Sequence, residues 1–324
     1  MTASIPVVDL SPLDRRETGA DQVADALRSA YAEVGFAYLI GHDIPSDLTE
    51  RVFAASAAFH RLPIERKMAI ELDRNHRGYI PIGVSTDRTS TLAEVTKPNQ
   101  SASWMMMGED PDDGGEVAAG TYLAGPNQWP DLPGFREPVE AYHDAMCRLG
   151  HRLIGVVSRA LDDRDGVLAS AFDPPTSWLR LLHYPSVPAT AADDLYGSAP
   201  HRDFGCITIL AQRDVGGLQV GDRHGAWIDV PVRPGAFVMN VGDMLHRWSN
   251  GRLLSTPHRV VNRTGRQRYS VAFFFDPHMS TVIEPLLGCV DADDPARFEP
   301  IEFGAFVRSE LEASYDHHQL RQQQ

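Results

Sequence analysis

Cysteine is scarce in this chain. Cys147, Cys206 and Cys289 are the three in 324 residues, an odd number with no CxxC pair. No even disulfide set is on offer, and the pattern fits free thiols in a reducing cytoplasm. Basic runs are absent as well: 30 Lys+Arg face 44 Asp+Glu, a formal charge of −14. That balance argues against nucleic acid as a partner and reads as a solvated acidic surface. No apolar stretch approaches the ~18 residues of a bilayer span. The N-terminus lacks a charged-then-apolar leader, so the expected location is the cytoplasm, away from membranes. No internal repeat is visible. What remains is a chain long enough to bury a large core with a small molecule as its partner. Its oligomeric state is not legible.

Against that background one stretch carries chemistry. His201-Arg202-Asp203 places an imidazole and a carboxylate two residues apart, which on a strand turns both to one face. His258, within Ser255-Thr256-Pro257-His258-Arg259-Val260, must then arrive from another strand. Two imidazoles and one carboxylate form the facial triad that holds non-haem Fe(II) and leaves positions open. Ten residues on, Arg268-Tyr269-Ser270 sets a guanidinium and a hydroxyl on a shared face. An Arg fork with a hydroxyl suits a carboxylate. His183, His224 and His246 are not needed for the triad and read as solvated or hydrogen-bonded residues.

The surroundings of these residues have a rhythm. Phe204–Leu210, Gly216–Val220, Gly225–Val230 and Gly235–Asn240 are short apolar runs punctuated by glycine and proline. Strands at such spacing predict a jelly roll or barrel, with ligands converging in its mouth. Upstream, residues 20–34 carry apolar positions at helical spacing, stopped by Gly35, and Phe36–Ile40 reads as a strand. Ser46 is expected to cap a second helix that stops before Pro63. Residues 75–110 read as irregular, 134–162 as one long amphipathic helix, and strands begin at Trp178. Asn250-Gly251 reads as a tight turn, and the tail from His317 to Gln324 as polar and frayed.

Residues 178–280 resemble the catalytic core of the isopenicillin N synthase-like family of Fe(II) and 2-oxoglutarate-dependent dioxygenases. The likeness runs through His201-Arg202-Asp203, Val215–Val220, Pro234–Phe237, Asn240–Leu245, Trp248–Gly251, His258–Val261 and Arg268–Ser270. Outside the core, Ile5–Leu10, Gly35–Leu39, Arg77-Gly78-Tyr79 and Asn127–Asp131 also match. The resemblance implies a mainly β protein with α additions: a double-stranded β-helix (jelly roll) supported by N-terminal and long central helices. It implies His201, Asp203 and His258 as ligands of Fe(II). Arg268, Ser270 and Tyr184 would bind 2-oxoglutarate, which is oxidised with O2 to succinate and CO2 while a small metabolite is hydroxylated, desaturated or closed into a ring. In related halogenases a halide takes the carboxylate's place, and Asp203 argues against that outcome. Two alternatives stay open: a 2-oxoglutarate-independent iron oxidase of the isopenicillin N synthase type, and a non-catalytic jelly-roll module that binds a small molecule.

The chain also departs from the family pattern. Ser101–Met107 stands where many members carry a charged, phenylalanine-containing motif, and Leu182-His183 replaces the usual Asn-Tyr before Tyr184-Pro185. Residues 1–115 are expected to contribute the substrate wall, and 116–324 the catalytic core with its support helix, the two making one unit. Substrate-lining candidates are Tyr79, Met105, Met107, Phe204 and Phe274. Methionine is soft and adaptable, so such a lining suits a largely uncharged or aromatic-aliphatic metabolite rather than a free amino acid.

Overall fold

The computed structural model describes residues 4–14, 16–85, 92, 97–110, 114–188, 190–192 and 194–314. The expected frayed tail, His317 to Gln324, lies outside the described residues, as does part of the 75–110 segment. Among the described residues the strands are β1 (Val7–Asp9), β2 (Phe36–Ile40), β3 (Gly78–Ile80), β4 (Ala102–Met107), β5 (Thr176–Tyr184), β6 (Ser198–His201) and β7 (Ile207–Gln212). They continue with β8 (Leu218–Gly221), β9 (Trp227–Asp229), β10 (Phe237–Val241), β11 (His258–Val260), β12 (Arg268–Asp276), β13 (Val282–Ile283) and β14 (Ile301–Glu302). The helices are α1 (Arg16–Glu33), α2 (Ser46–His60), α3 (Ile64–Met68), α4 (Gly115–Ala118), α5 (Arg136–Ala160), α6 (Val167–Ala171), α7 (Asp243–Trp248) and α8 (Phe303–Ser314).

One sheet runs β1-β2-β10-β7-β12-β5-β4-β3 and a second runs β6-β11-β8-β9. Between them lies an apolar layer in which Leu218, Val220 and Val260 meet Val238, Ala272, Leu182 and Tyr184. This is the jelly-roll core, two facing sheets with no closed barrel among the described residues. The outer face of the large sheet is covered by α2 and α5, with α1 packed on α5. Val139, Tyr142, Met146, Leu149, Leu153 and Val156 form the buried stripe of α5. Each such side chain contributes roughly 1.5–3 kcal/mol on burial, so packing rather than propensity holds this support helix.

Helix α1 gives way to β2 at Gly35, whose φ is +75°. A Cβ there would fall 2.3 Å from the Leu254 carbonyl oxygen, so glycine alone fits. Two expectations need correction. Ser46 is the first residue of α2 rather than its cap; Pro45 holds the cap position in an extended conformation and no side chain caps the helix. The 75–110 segment is not irregular throughout, because β3 and β4 extend the large sheet beyond β5. Every residue of β4 is buried. With both faces covered it shows a continuous apolar run instead of the alternation by which a half-buried strand is read.

Candidate active site

His201 closes β6 and His258 opens β11, and the two are register partners in that antiparallel pair. Cross-strand pairing therefore sets the imidazoles side by side, ring centroids 4.3 Å apart. Asp203 is not on the strand, as its spacing suggested, but in the turn that follows it. Its Oδ1 lies 3.7 Å from His201 Nε2 and 3.6 Å from His258 Nε2.

The turn is held from behind. At the start of α7, the amides of Asp243 and Met244 donate to the carbonyls of Asp203 and Gly205, at 2.8 and 2.9 Å. Gly242 permits this approach, since a Cβ there would sit 2.3 Å from the Gly205 oxygen. The Cys206 amide donates to Asp276 Oδ1 at 2.6 Å. Burial pushes the Asp276 carboxyl up to about 7.

Local hydrogen bonds set the state of each ligand. His201 Nδ1 is 2.7 Å from the Ala199 carbonyl and His258 Nδ1 is 3.3 Å from that of Thr256. A carbonyl only accepts, so both Nδ1 atoms donate and both Nε2 atoms keep a lone pair for a metal. Asp203 Oδ2 accepts from Thr208 Oγ1 at 2.5 Å and from Asn240 Nδ2 at 2.7 Å, which leaves Oδ1 toward the imidazoles. Burial works to raise the Asp203 carboxyl. The His258 and His201 rings, in their protonated form, and those two hydrogen bonds outweigh it and hold the group below the usual carboxylate range. The donor set of two imidazole nitrogens and one carboxylate oxygen suits non-haem Fe(II). Its N–O separations are shorter than the ~4.2 Å that two ligands across one ion can span, so one ion can meet the carboxylate and each imidazole.

The clamp lies along β12. Arg268, Ser270, Ala272 and Phe274 alternate with Tyr269, Val271, Phe273 and Phe275. The latter pack among the helices, whereas Ala272 joins the layer between the sheets. Arg268 is fully buried. It donates from NH1 to Ser270 Oγ and from NH2 to Gln212 Oε1, both at 3.2 Å. Tyr184 is its register partner on β5, and the guanidinium lies 4.6 Å from that ring's centroid. Arg268 Nε has no partner, and among the described residues no carboxylate pairs with this guanidinium. An isolated buried cation is costly, so the position suits an anionic ligand. The side chains thus fit both Fe(II) and a dicarboxylate.

Register also sorts the lining candidates. Met105 pairs with Arg180, Met107 with Trp178, and these β5 residues pair in turn with Ala272 and Phe274. All six share the face that carries Arg268. Phe274 is also opposite Thr208, the residue bonded to Asp203. Phe204 meets Trp178 edge-on at 6.4 Å. Tyr79 is not brought to the site. It pairs with Trp104 on the opposite face and packs on Phe59 beneath α2, because β3 sets Tyr79 out of phase with Gly78 and Ile80. Sequence reading also overlooked Thr208, Asn240, Gln212, Asp276 and Arg180. For Arg180 a signal existed: it stands four residues before Tyr184 on one strand, hence on the same face.

Known proteins agree with this geometry. A profile of the 2OG-Fe(II) oxygenase superfamily matches residues 175–277, and one described as non-haem dioxygenase in morphine synthesis N-terminal matches 5–132. The chain belongs to the 2OG-Fe(II) oxygenase superfamily. It is 36% identical over 323 residues to the 2-oxoglutarate-Fe(II) type oxidoreductase hxnY of Emericella nidulans, covering 96% of this chain and 90% of that protein. It is 37% identical over 294 residues to the 2-oxoglutarate-dependent dioxygenase citB of Monascus ruber, covering 87% of each. A Neurospora crassa protein solved with alpha-KG and thymine superposes with a TM-score of 0.84 at 30% identity, covering 96% of this chain and 97% of that one. The activity is accordingly Fe(II)- and 2-oxoglutarate-dependent oxidation of a small metabolite, with O2 as the oxidant. Neither the 2-oxoglutarate-independent oxidase nor the non-catalytic module is favoured by these relatives. Among the described residues no helix is long and apolar enough to cross a membrane.

Proposed function

We propose that this dioxygenase acts on a small metabolite with an aromatic or aliphatic body, by hydroxylation, desaturation or ring closure, and not on a free amino acid. In this reading His201, Asp203 and His258 hold Fe(II), and Arg268, Ser270 and Tyr184 hold the distal carboxylate of 2-oxoglutarate. When bound, metal and co-substrate supply the oxidation, with release of succinate and CO2. The protein's part is placement. Backbone carbonyls fix both imidazole tautomers, Thr208 and Asn240 aim Asp203, and the β12–β5 face orients the dicarboxylate. Residues 1–115 and 116–324 act as one unit, since β3 and β4 lie beside β5 in the same sheet. A cytoplasmic location, with no nucleic-acid or membrane partner, goes with the acidic composition.

The observation that carries the reading is buried Arg268, with no carboxylate partner among the described residues, on the same inner face as Phe274, which is paired with the residue anchoring Asp203. Met105, Met107, Trp178, Phe204 and Phe274 give that face its apolar character. A panel of small metabolites, scored by succinate release above the uncoupled background, tests the proposal. Apolar-bodied compounds should stimulate release in the wild type and none should do so in Asp203→Ala. Stimulation confined to doubly charged amino acids would overturn the reading.

A further inference from the structure

Among the six described residues that share the face of Arg268, Arg180 is the charged one, and its place is informative. Arg180 is half-buried on β5, paired with Met105 on one side and Ala272 on the other. It therefore shares the inner face with Arg268, yet stands four residues away from that guanidinium's partner Tyr184, roughly 13 Å along the strand. It is only two residues from Trp178, which faces Phe274 and Phe204 at the metal end. A co-substrate held by Arg268 and a ligand held by Arg180 are thus separated by the geometry of one strand.

The bonding of Arg180 is lopsided. Its Nε donates to Ser103 Oγ at 2.8 Å, which fixes the plane of the group. Among the described residues no hydrogen bond engages either terminal nitrogen and no carboxylate pairs with it. With Nε taken, the two terminal nitrogens remain as an end-on fork, matched to the two oxygens of a carboxylate. Arg180 pairs with Met105 and shares its face with Met107 and Trp178, so a carboxylate seated on the fork would meet apolar side chains beside it.

We infer that Arg180 is the specificity-determining residue, and that the primary substrate carries one carboxylate on an apolar body. The end-on fork holds that carboxylate while the body lies against Met105, Met107, Trp178, Phe204 and Phe274 toward the triad. This deepens the function proposed above and rests on it. The expectation of a largely uncharged substrate is narrowed accordingly: one negative charge, at the end remote from the reacting carbon.

The test is a binding screen that does not need turnover. Matched pairs of arylalkanoic acids and their primary amides are titrated against the full chain with saturating 2-oxoglutarate, which keeps Arg268 occupied. Binding is read by ligand-observed NMR and by the tryptophan emission to which Trp178 contributes. In the wild type the acids should bind about tenfold or more tightly than their amides, the scale of one charge-assisted pair. Arg180→Gln should erase that preference, and Arg180→Lys, the conservative control for folding, should retain part of it. Neither variant should shift the titration of 2-oxoglutarate itself. That separates this inference from the clamp, whose failure would appear in 2-oxoglutarate binding at Arg268. Equal binding of acids and amides by the wild type overturns the inference. So does an acid preference that survives Arg180→Gln, or a panel in which no acid binds.

Discussion

Arg268 permits a prediction with two opposite signs. It is fully buried, it gives one hydrogen bond each to Ser270 and Gln212, and its Nε is bare. Replacing it with lysine keeps a charge and removes the fork, so one charge-assisted bond, worth about 1.5–3 kcal/mol, is lost. At ~1.4 kcal/mol per tenfold, 2-oxoglutarate should bind about 10- to 150-fold more weakly. Arg268→Gln removes the charge, at about 2–5 kcal/mol, or roughly 30-fold to several-thousand-fold. Thermal unfolding under anaerobic Fe(II) reads both. At a hundred times its dissociation constant a ligand stabilises by ~2.7 kcal/mol. With an unfolding entropy of ~2.1 cal/mol/K per residue, the 324-residue chain should gain about 4 °C. Arg268→Gln at the same concentration should gain about 1 °C or less. Without 2-oxoglutarate the sign reverses: the glutamine variant should melt no lower than the wild type, since it no longer buries an unpaired cation. Equal 2-oxoglutarate shifts in the wild type and both variants would refute the reasoning.

Two further outcomes follow from the same geometry. Asn240→Ala frees Asp203 Oδ2 from its 2.7 Å bond and should weaken Fe(II) about 10- to 100-fold, read by metal titration, with the fold intact by circular dichroism; unchanged affinity would remove Asn240 from the site. His60 is buried under the sheet, its Nε2 donating to the Leu181 carbonyl, and burial lowers its pKa to about 3. An unfolded histidine titrates near 6.5, so the stabilising effect of keeping His60 neutral is complete above that pH. It declines as pH falls from about 6.5 toward 3, by up to about 1.4 kcal/mol per pH unit. Denaturant midpoints of His60→Met should fall less steeply than the wild type between pH 6 and 4; identical slopes would contradict this.

The metal site was legible because its signal is local and chemical. His201-Arg202-Asp203 and the Arg-x-Ser pair need only short-range spacing, and the surrounding strand rhythm supplied the fold. The route was partly different, since Asp203 sits in a turn pinned by α7 rather than on β6. What sequence could not reveal was cross-strand phase. Tyr79 and Met105 both belong to the segment thought to wall the substrate, and only the β3–β4–β5 register separates the helix face from the inner face. The continuous burial of β4 hid its alternation for the same reason. Thr208 and Asn240 escaped notice because their role depends on β7 and β10 being neighbours, a long-range pairing.

The central claim is that His201, Asp203 and His258 hold one Fe(II) that accepts 2-oxoglutarate. Anaerobic titration of the protein with Fe(II), then with 2-oxoglutarate, tests it through the weak visible charge-transfer absorption of the chelate. The absorption should rise to saturation near one iron per chain and be absent in His258→Ala. No absorption in the wild type, or an unchanged absorption in His258→Ala, would contradict the account.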